Sequence, residues 1–266
     1  MVEPSREVYP NAPLMYVAVE VRFPHTPRLA SDTTLPLIHE RLRDQYPIVE
    51  PGFETTLMVG AATPAIQSTV FRLVSRDRTS SVQLTPTSLV VDTTSYSTYE
   101  HFRDGFAAVL EAVHEAAGIV GILRIGLRYV DEIRLQDDEV DLAQWRPYVA
   151  GSLLGSQEFA VPGFVPAESQ GIVRFVDGST LTLVLRYGAR KGRTVGESPL
   201  RTRQSRSGSY FLLDMDSYWA DDQGTLQDFS APWVLETCDR LHDPARQAFE
   251  AAITNQLRDE ILRVQR

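Results

Sequence analysis

The fourteen residues Gly-Ile-Leu-Arg-Ile-Gly-Leu-Arg-Tyr-Val-Asp-Glu-Ile-Arg at positions 121–134 alternate with a period of two. From Leu123 the odd positions carry Leu, Ile, Leu, Tyr, Asp and Ile, and the even positions carry Arg, Gly, Arg, Val, Glu and Arg. Side chains along a strand point alternately to its two faces, so this stretch reads as a strand with one apolar and one polar face. Its place is the middle of a sheet. Arg124 and Arg128 then share the polar face, with Gly126 alone between them. That face reads either as a shallow anion-binding surface or as a solvated one whose arginines pair with carboxylates across the strands. The second is the commoner arrangement.

Strands and helices follow one another along the whole chain. Leu14–Phe23 reads as a first strand closed by Pro24, and Leu35–Tyr46 as a helix stopped by Pro47. Thr55–Gly60 is a short strand. Phe71–Val74, Ser81–Leu84 and Ser88–Asp92 form a meander, with turns at residues 76–79 and 85–87. A helix with Ser97 and Glu100 as a capping box carries the stripe Tyr99, Phe102, Phe106, Val109, Leu110 and Val113, and stops at Gly118. Leu142–Leu154 is a candidate helix around Trp145, weakened by Pro147 and Gly151. After a loop over 155–171, Asp177-Gly178 joins Ile172–Val176 and Thr180–Tyr187 as a hairpin. Tyr210–Met215 is a further strand. Ser230 with Pro232 opens a helix through Leu241, and Asp243-Pro244 opens another bearing Phe249, Ile253, Leu257, Ile261 and Val264.

Two octamers repeat a pattern. Residues 89–96 (Leu-Val-Val-Asp-Thr-Thr-Ser-Tyr) and 211–218 (Phe-Leu-Leu-Asp-Met-Asp-Ser-Tyr) each close a meander that leads to an amphipathic helix. The expected fold is therefore α+β, with two related halves, each an antiparallel β-meander packed by amphipathic helices. The halves are 1–154 and 155–266, intimately packed or forming one domain.

Composition narrows the function classes. A net charge of −9 and a pI near 5.1 argue against a protein that coats nucleic acid or anionic membranes. Cys238 is the only cysteine, which excludes an intrachain disulfide and fits a reducing cytosol, so a cytoplasmic location is expected. Neither a secretion leader nor a membrane-spanning run is expected. The five histidines form no metal-binding pair, and no phosphate-binding glycine loop or nucleophile elbow is present. Cys238 lies on an apolar helix face, where a buried small hydrophobe is expected rather than a nucleophile. Asp214 and Asp216, read as a strand end, share one face as a two-metal phosphoryl-transfer site would need. The first octamer keeps only Asp92, however, and no metal or other cofactor is expected.

Residues 188–209 stand apart. Arg190, Lys191, Arg193, Arg201, Arg203 and Arg206 face one acid, Glu197, in a chain that is acidic overall. Their Gly, Ser and Pro content reads as a mobile loop, either a solvated insertion or a docking arm for an acidic protein or a phosphate backbone. No aromatic residue is interleaved to stack on bases.

The residues 11–14 (Asn-Ala-Pro-Leu) and 20–23 (Glu-Val-Arg-Phe), Tyr46-Pro47, the core 124–129 (Arg-Ile-Gly-Leu-Arg-Tyr) and 212–218 resemble a sporadically distributed bacterial and archaeal family of comparable length. The resemblance covers nearly the whole chain. It places Asp131 where the family usually has asparagine. Its patchy distribution implies mobile genes, such as toxin–antitoxin or defence loci, and it carries no catalytic residues over.

The resulting expectation is a non-catalytic protein that binds a macromolecule, a protein partner encoded nearby, through the six basic residues of the loop. Homo-oligomers stay open and a membrane partner is not expected. The alternatives are a metal-dependent or nucleotide-binding enzyme using Asp214, Asp216 and the anion-binding Arg124/Arg128 face, and a nucleic-acid-binding regulator acting through residues 188–209.

Overall fold

A computed structural model describes residues 7–53, 69–158, 161–164, 166–178, 180–192, 200–202, 207–221 and 226–264. Its strands are β1 (Leu14–Arg22), β2 (Ile48–Phe53), β3 (Thr69–Val74), β4 (Ser80–Thr85), β5 (Ser88–Thr93), β6 (Gly121–Ile122), β7 (Arg124–Ile133), β8 (Ser169–Val176), β9 (Leu181–Lys191), β10 (Ser209–Ala220) and β11 (Gln227–Asp228). The longer helices are α1 (Thr34–Leu42), α2 (Tyr99–Ala117) and α3 (Ala231–Ala252), and short helical turns run from Asn255 to Leu262. The fold is α+β. Nine strands form one antiparallel sheet in the order β2-β3-β4-β5-β1-β7-β10-β9-β8, and β6 pairs with β11 separately.

The arginine strand β7 lies inside the sheet between β1 and β10, as its alternation predicts. Ile125 and Leu127 are buried with Val17, Val19 and Val21 of β1 and Phe211, Leu213 and Met215 of β10. Burying each such side chain contributes about 1.5–3 kcal/mol. Leu123 departs from the expected row. It falls between β6 and β7, is 40% exposed, and gives its N–H to the Arg22 carbonyl.

The helices cover one face of this sheet. α2 begins at Thr98 rather than Ser97, because the Thr98 hydroxyl accepts from the His101 N–H, and it ends at Gly118 in the left-handed region (φ 67°). Ser230 caps α3, whose Trp233 N–H it accepts. The break expected at Asp243-Pro244 does not occur: α3 runs through Pro244. An internal proline costs about 3 kcal/mol. The buried stripe Val234, Cys238, Leu241, Ala245 and Ala252 continues on both sides of it, and that packing keeps the helix in one piece. The helix proposed for 142–154 is instead two 3₁₀ segments, with Trp145 fully buried against Phe211. The strand expected over Thr55–Gly60 lies outside the described residues, while β2 forms just before it.

The sheet crosses the boundary between the proposed halves, since β7 pairs with β10, and one apolar core draws on both sides. The strand order mirrors itself about the β1–β7 pair: β5-β4-β3 flank β1, and β10-β9-β8 flank β7. Asp92 sits opposite Ala18 and Ser81, and Asp214 opposite Val130 and Arg186. Tyr96 and Tyr218 do not correspond. Tyr96 packs in the turn before α2 against Phe102 and Tyr129, whereas Tyr218 lies within β10 and faces Arg124.

Candidate functional site

The face of the sheet away from the helices carries the charges. Asp214 and Asp216 share it, but in the middle of β10 and not at a strand end, because the strand runs on to Ala220. Arg128 donates Nε and Nη2 to the two Asp214 oxygens, each at 2.8 Å, a bidentate fork. Arg186 lies 3.7 Å from Asp214 and 3.9 Å from Asp216. Arg124 reaches Glu20, lies 3.6 Å from Asp216, and covers the Tyr218 ring at 4.7 Å. It can do so because residue 126 is glycine: a Cβ there would stand 2.6 Å from the Arg124 Nη1. The two arginines proposed to hold an anion are thus paired with carboxylates, and the two aspartates proposed to hold a metal are paired with guanidiniums. On the first half of the same face, buried Asp92 accepts from Ser81 and from the Tyr16 hydroxyl, 3.1 Å away, with Arg72 at 3.7 Å.

The basic segment is shorter than its sequence implies. Gly188–Lys191 belong to β9 and Ser209 to β10, so those residues are ladder rather than loop. Arg190 donates to Gln170 and Lys191 pairs with Glu139. Arg201 is fixed through its backbone, its N–H to the Arg78 carbonyl and its carbonyl to the Thr94 hydroxyl at 2.6 Å. Arg193, Arg203 and Arg206 lie outside the described residues.

The feature with most chemistry is a cavity of about 1040 Å³ on the helix side of the sheet. Its floor is the end of β7 with Leu14 and Met215. Its walls are residues 96–100, the turn into α2 and its first residues, α3 from His242 to Glu250, the segment 7–13, and Arg258 near the C-terminal end. Thr79, Thr94 and Arg201 close another side, so the one described loop arginine faces this space.

Aromatic groups on the wall are locked together. The Tyr129 hydroxyl lies 2.8 Å from Nδ1 of His242, and the Tyr99 ring stacks on His242 at 4.0 Å. Tyr99 donates to Asp239, which also takes the Nε of Arg103 at 2.7 Å. Tyr96 meets Tyr129 edge-on at 6.0 Å. Burial, with Tyr96 and Tyr99 close by, holds the Tyr129 hydroxyl protonated well above the usual range. At the other end, Tyr9 donates to Glu250, and Arg258 donates to both.

Asp131 is the exception. It occupies the apolar row of β7, is 4% exposed, and opens on the cavity. No donor among the described residues reaches its carboxyl. Burial, and secondarily the charge of Asp214, push its pKa up to about 8. The Nε of Arg246, also on the wall, is buried and has no hydrogen-bond partner among the described residues. Cys238 lies behind Tyr99 with its thiol pushed up to about 12 by burial, in keeping with a packed hydrophobe.

Of these wall residues the sequence marked only Arg201 as a site, and for partner binding rather than for a cavity. The available signal was Asp131, an acid in an otherwise apolar row. The others lie in separate segments of the chain that only the fold brings together. Comparison of the chain with protein-family models and with curated proteins found no match.

Proposed function

We propose that the protein is a non-catalytic binding protein whose cavity between the sheet and α2–α3 holds a small organic molecule. The observation that carries this reading is Asp131. A carboxyl buried in apolar surroundings without a donor costs stability, and it stands at the floor of a space the size of a ligand pocket. A strongly perturbed acid sitting in a cleft is a candidate functional group. The wall adds apolar rings and a few fixed polar groups, the composition that small-molecule sites use. Protein-observed NMR against a set of small fragments tests it. Binding fragments should shift the ring resonances of Tyr96, Tyr129 and His242 and compete with one another. Hits confined to other surfaces would overturn it.

A second reading is a protein partner docking on β8, the last strand of the sheet. Ile172 is 70% and Val176 63% exposed, on the same face as Arg174, with Arg190 on the neighbouring β9. The partner that fits is an apolar strand flanked by acids, added to the edge that no described strand pairs. This keeps the expectation of a protein partner but moves it from the 188–209 segment to the sheet edge. The mirrored strand order is compatible with two related halves, and a place among mobile genes stays a proposal drawn from the family resemblance.

A further inference from the structure

We propose that the cavity takes a small organic cation, an ammonium group that meets the Asp131 carboxylate while its body packs among the rings of Tyr96, Tyr129 and His242. The proposal rests on the small-molecule reading above and names the ligand's chemistry.

The argument turns on what the protein itself leaves missing around Asp131. Hydrogen-bonding groups are plentiful on the wall, and a ligand with acceptors or hydroxyls could be met by Thr94, Ser95 or Tyr96 without any buried acid. A positive charge beside Asp131 is not supplied. Arg258 is held by Glu250 and Tyr9, and Arg263 by Glu7 and Asp259. On the opposite face, Arg128 and Arg186 are turned to Asp214. Two influences act on the Asp131 carboxyl, burial and the negative charge of Asp214. Neither Arg246 and His242 on α3, Glu100 at the start of α2, nor Arg201 at the rim relieves it.

A buried carboxyl in that position stays protonated until a cation arrives, and the cation then displaces its proton to solvent. Aromatic faces add to the attraction, since a ring quadrupole favours a desolvated cation lying over it. The fixed position of the rings, set by the Tyr129–His242 contact and the Tyr99–His242 stack, means that little side-chain freedom is lost on binding. A neutral or anionic ligand takes at most one hydrogen bond from the protonated acid and gains no charge pairing with Asp131.

Calorimetry with three probes of one shape and different charge tests this: benzylammonium, benzyl alcohol and benzoate. Benzylammonium should bind saturably, release protons in buffers of differing ionisation heat, and gain up to about tenfold in affinity per pH unit between pH 6 and 8. Asp131→Asn, with its melting checked against the native chain, should lose that binding by at least tenfold, and benzoate should bind neither form. If benzyl alcohol or benzoate binds as tightly as benzylammonium, the cation proposal falls while a small-molecule cavity stands. If benzylammonium binds the Asn variant equally well, Asp131 is not its counter-ion and the proposal falls. If none of the three binds, the cation proposal falls, and the cavity reading falls with it only where the fragment set also leaves Tyr96, Tyr129 and His242 unshifted.

Discussion

At the scale of single residues, two positions in β7 explain why its sequence looks as it does. Gly126 leaves the space over which Arg124 folds to reach Glu20 and Tyr218, so the Arg-Ile-Gly-Leu-Arg core is a packed device for holding a guanidinium against its own strand. Asp131 has no comparable structural account and acts against the fold. Its folded pKa, about 8, lies above the ordinary 3.8. Between those values the folded chain keeps a proton that the unfolded chain has released, so the contribution of Asp131 to stability is full below about pH 4 and is lost as pH rises through 8. The slope reaches about 1.4 kcal/mol per pH unit. Asp131→Asn should therefore flatten the decline, and the variant should overtake the native chain as pH rises from 5 to 8. Urea unfolding at several pH values measures this, and parallel curves for the two proteins would contradict it. Of the site, this residue was visible in the sequence as one acid in an apolar row. The rest of the wall was not, because Tyr96, Tyr99, His242 and Arg246 carry no local pattern beyond helix packing or turns.

At the scale of elements, the meander β3–β5, the β8–β9 hairpin, β1 and most of α2 follow from alternation, turn residues and a capped stripe. The failures share a cause: tertiary partners overrode a local signal. β10 does not end at Met215, because Asp214 and Asp216 find arginines on both neighbouring strands and Tyr210 and Leu212 pack with Tyr16 and Val130 on the polar face. α3 does not break at Pro244, because its buried stripe continues past it. Gly188–Lys191 joined the ladder because β10 offers them a full register. The partner-docking reading belongs to this scale too. Ile172→Lys with Val176→Lys should leave the melting temperature nearly unchanged, as exposed substitutions do within about 0.5 kcal/mol, and should abolish retention of a protein partner that the native chain retains. Undiminished retention would remove β8 from consideration.

At the scale of the whole molecule, a single sheet carries two unlike faces. One is a mirrored array of ion pairs around β1 and β7, internally compensated. The other bears the helices and, where α2 and α3 meet the lower ends of β1 and β7, leaves a cavity rather than closing on it. The net charge of −9, which argued against general nucleic-acid binding, is compatible with attraction of a cation to that cavity. The most direct test is to follow the side-chain carboxyl of Asp131 by carbon NMR across pH, with the aspartates labelled and Asp131→Asn used for assignment. The cavity account predicts a midpoint of about 8 in the free protein, moving to lower pH when benzylammonium is present in excess. A midpoint near the ordinary 3.8 in the free protein, unchanged by the amine, would contradict it.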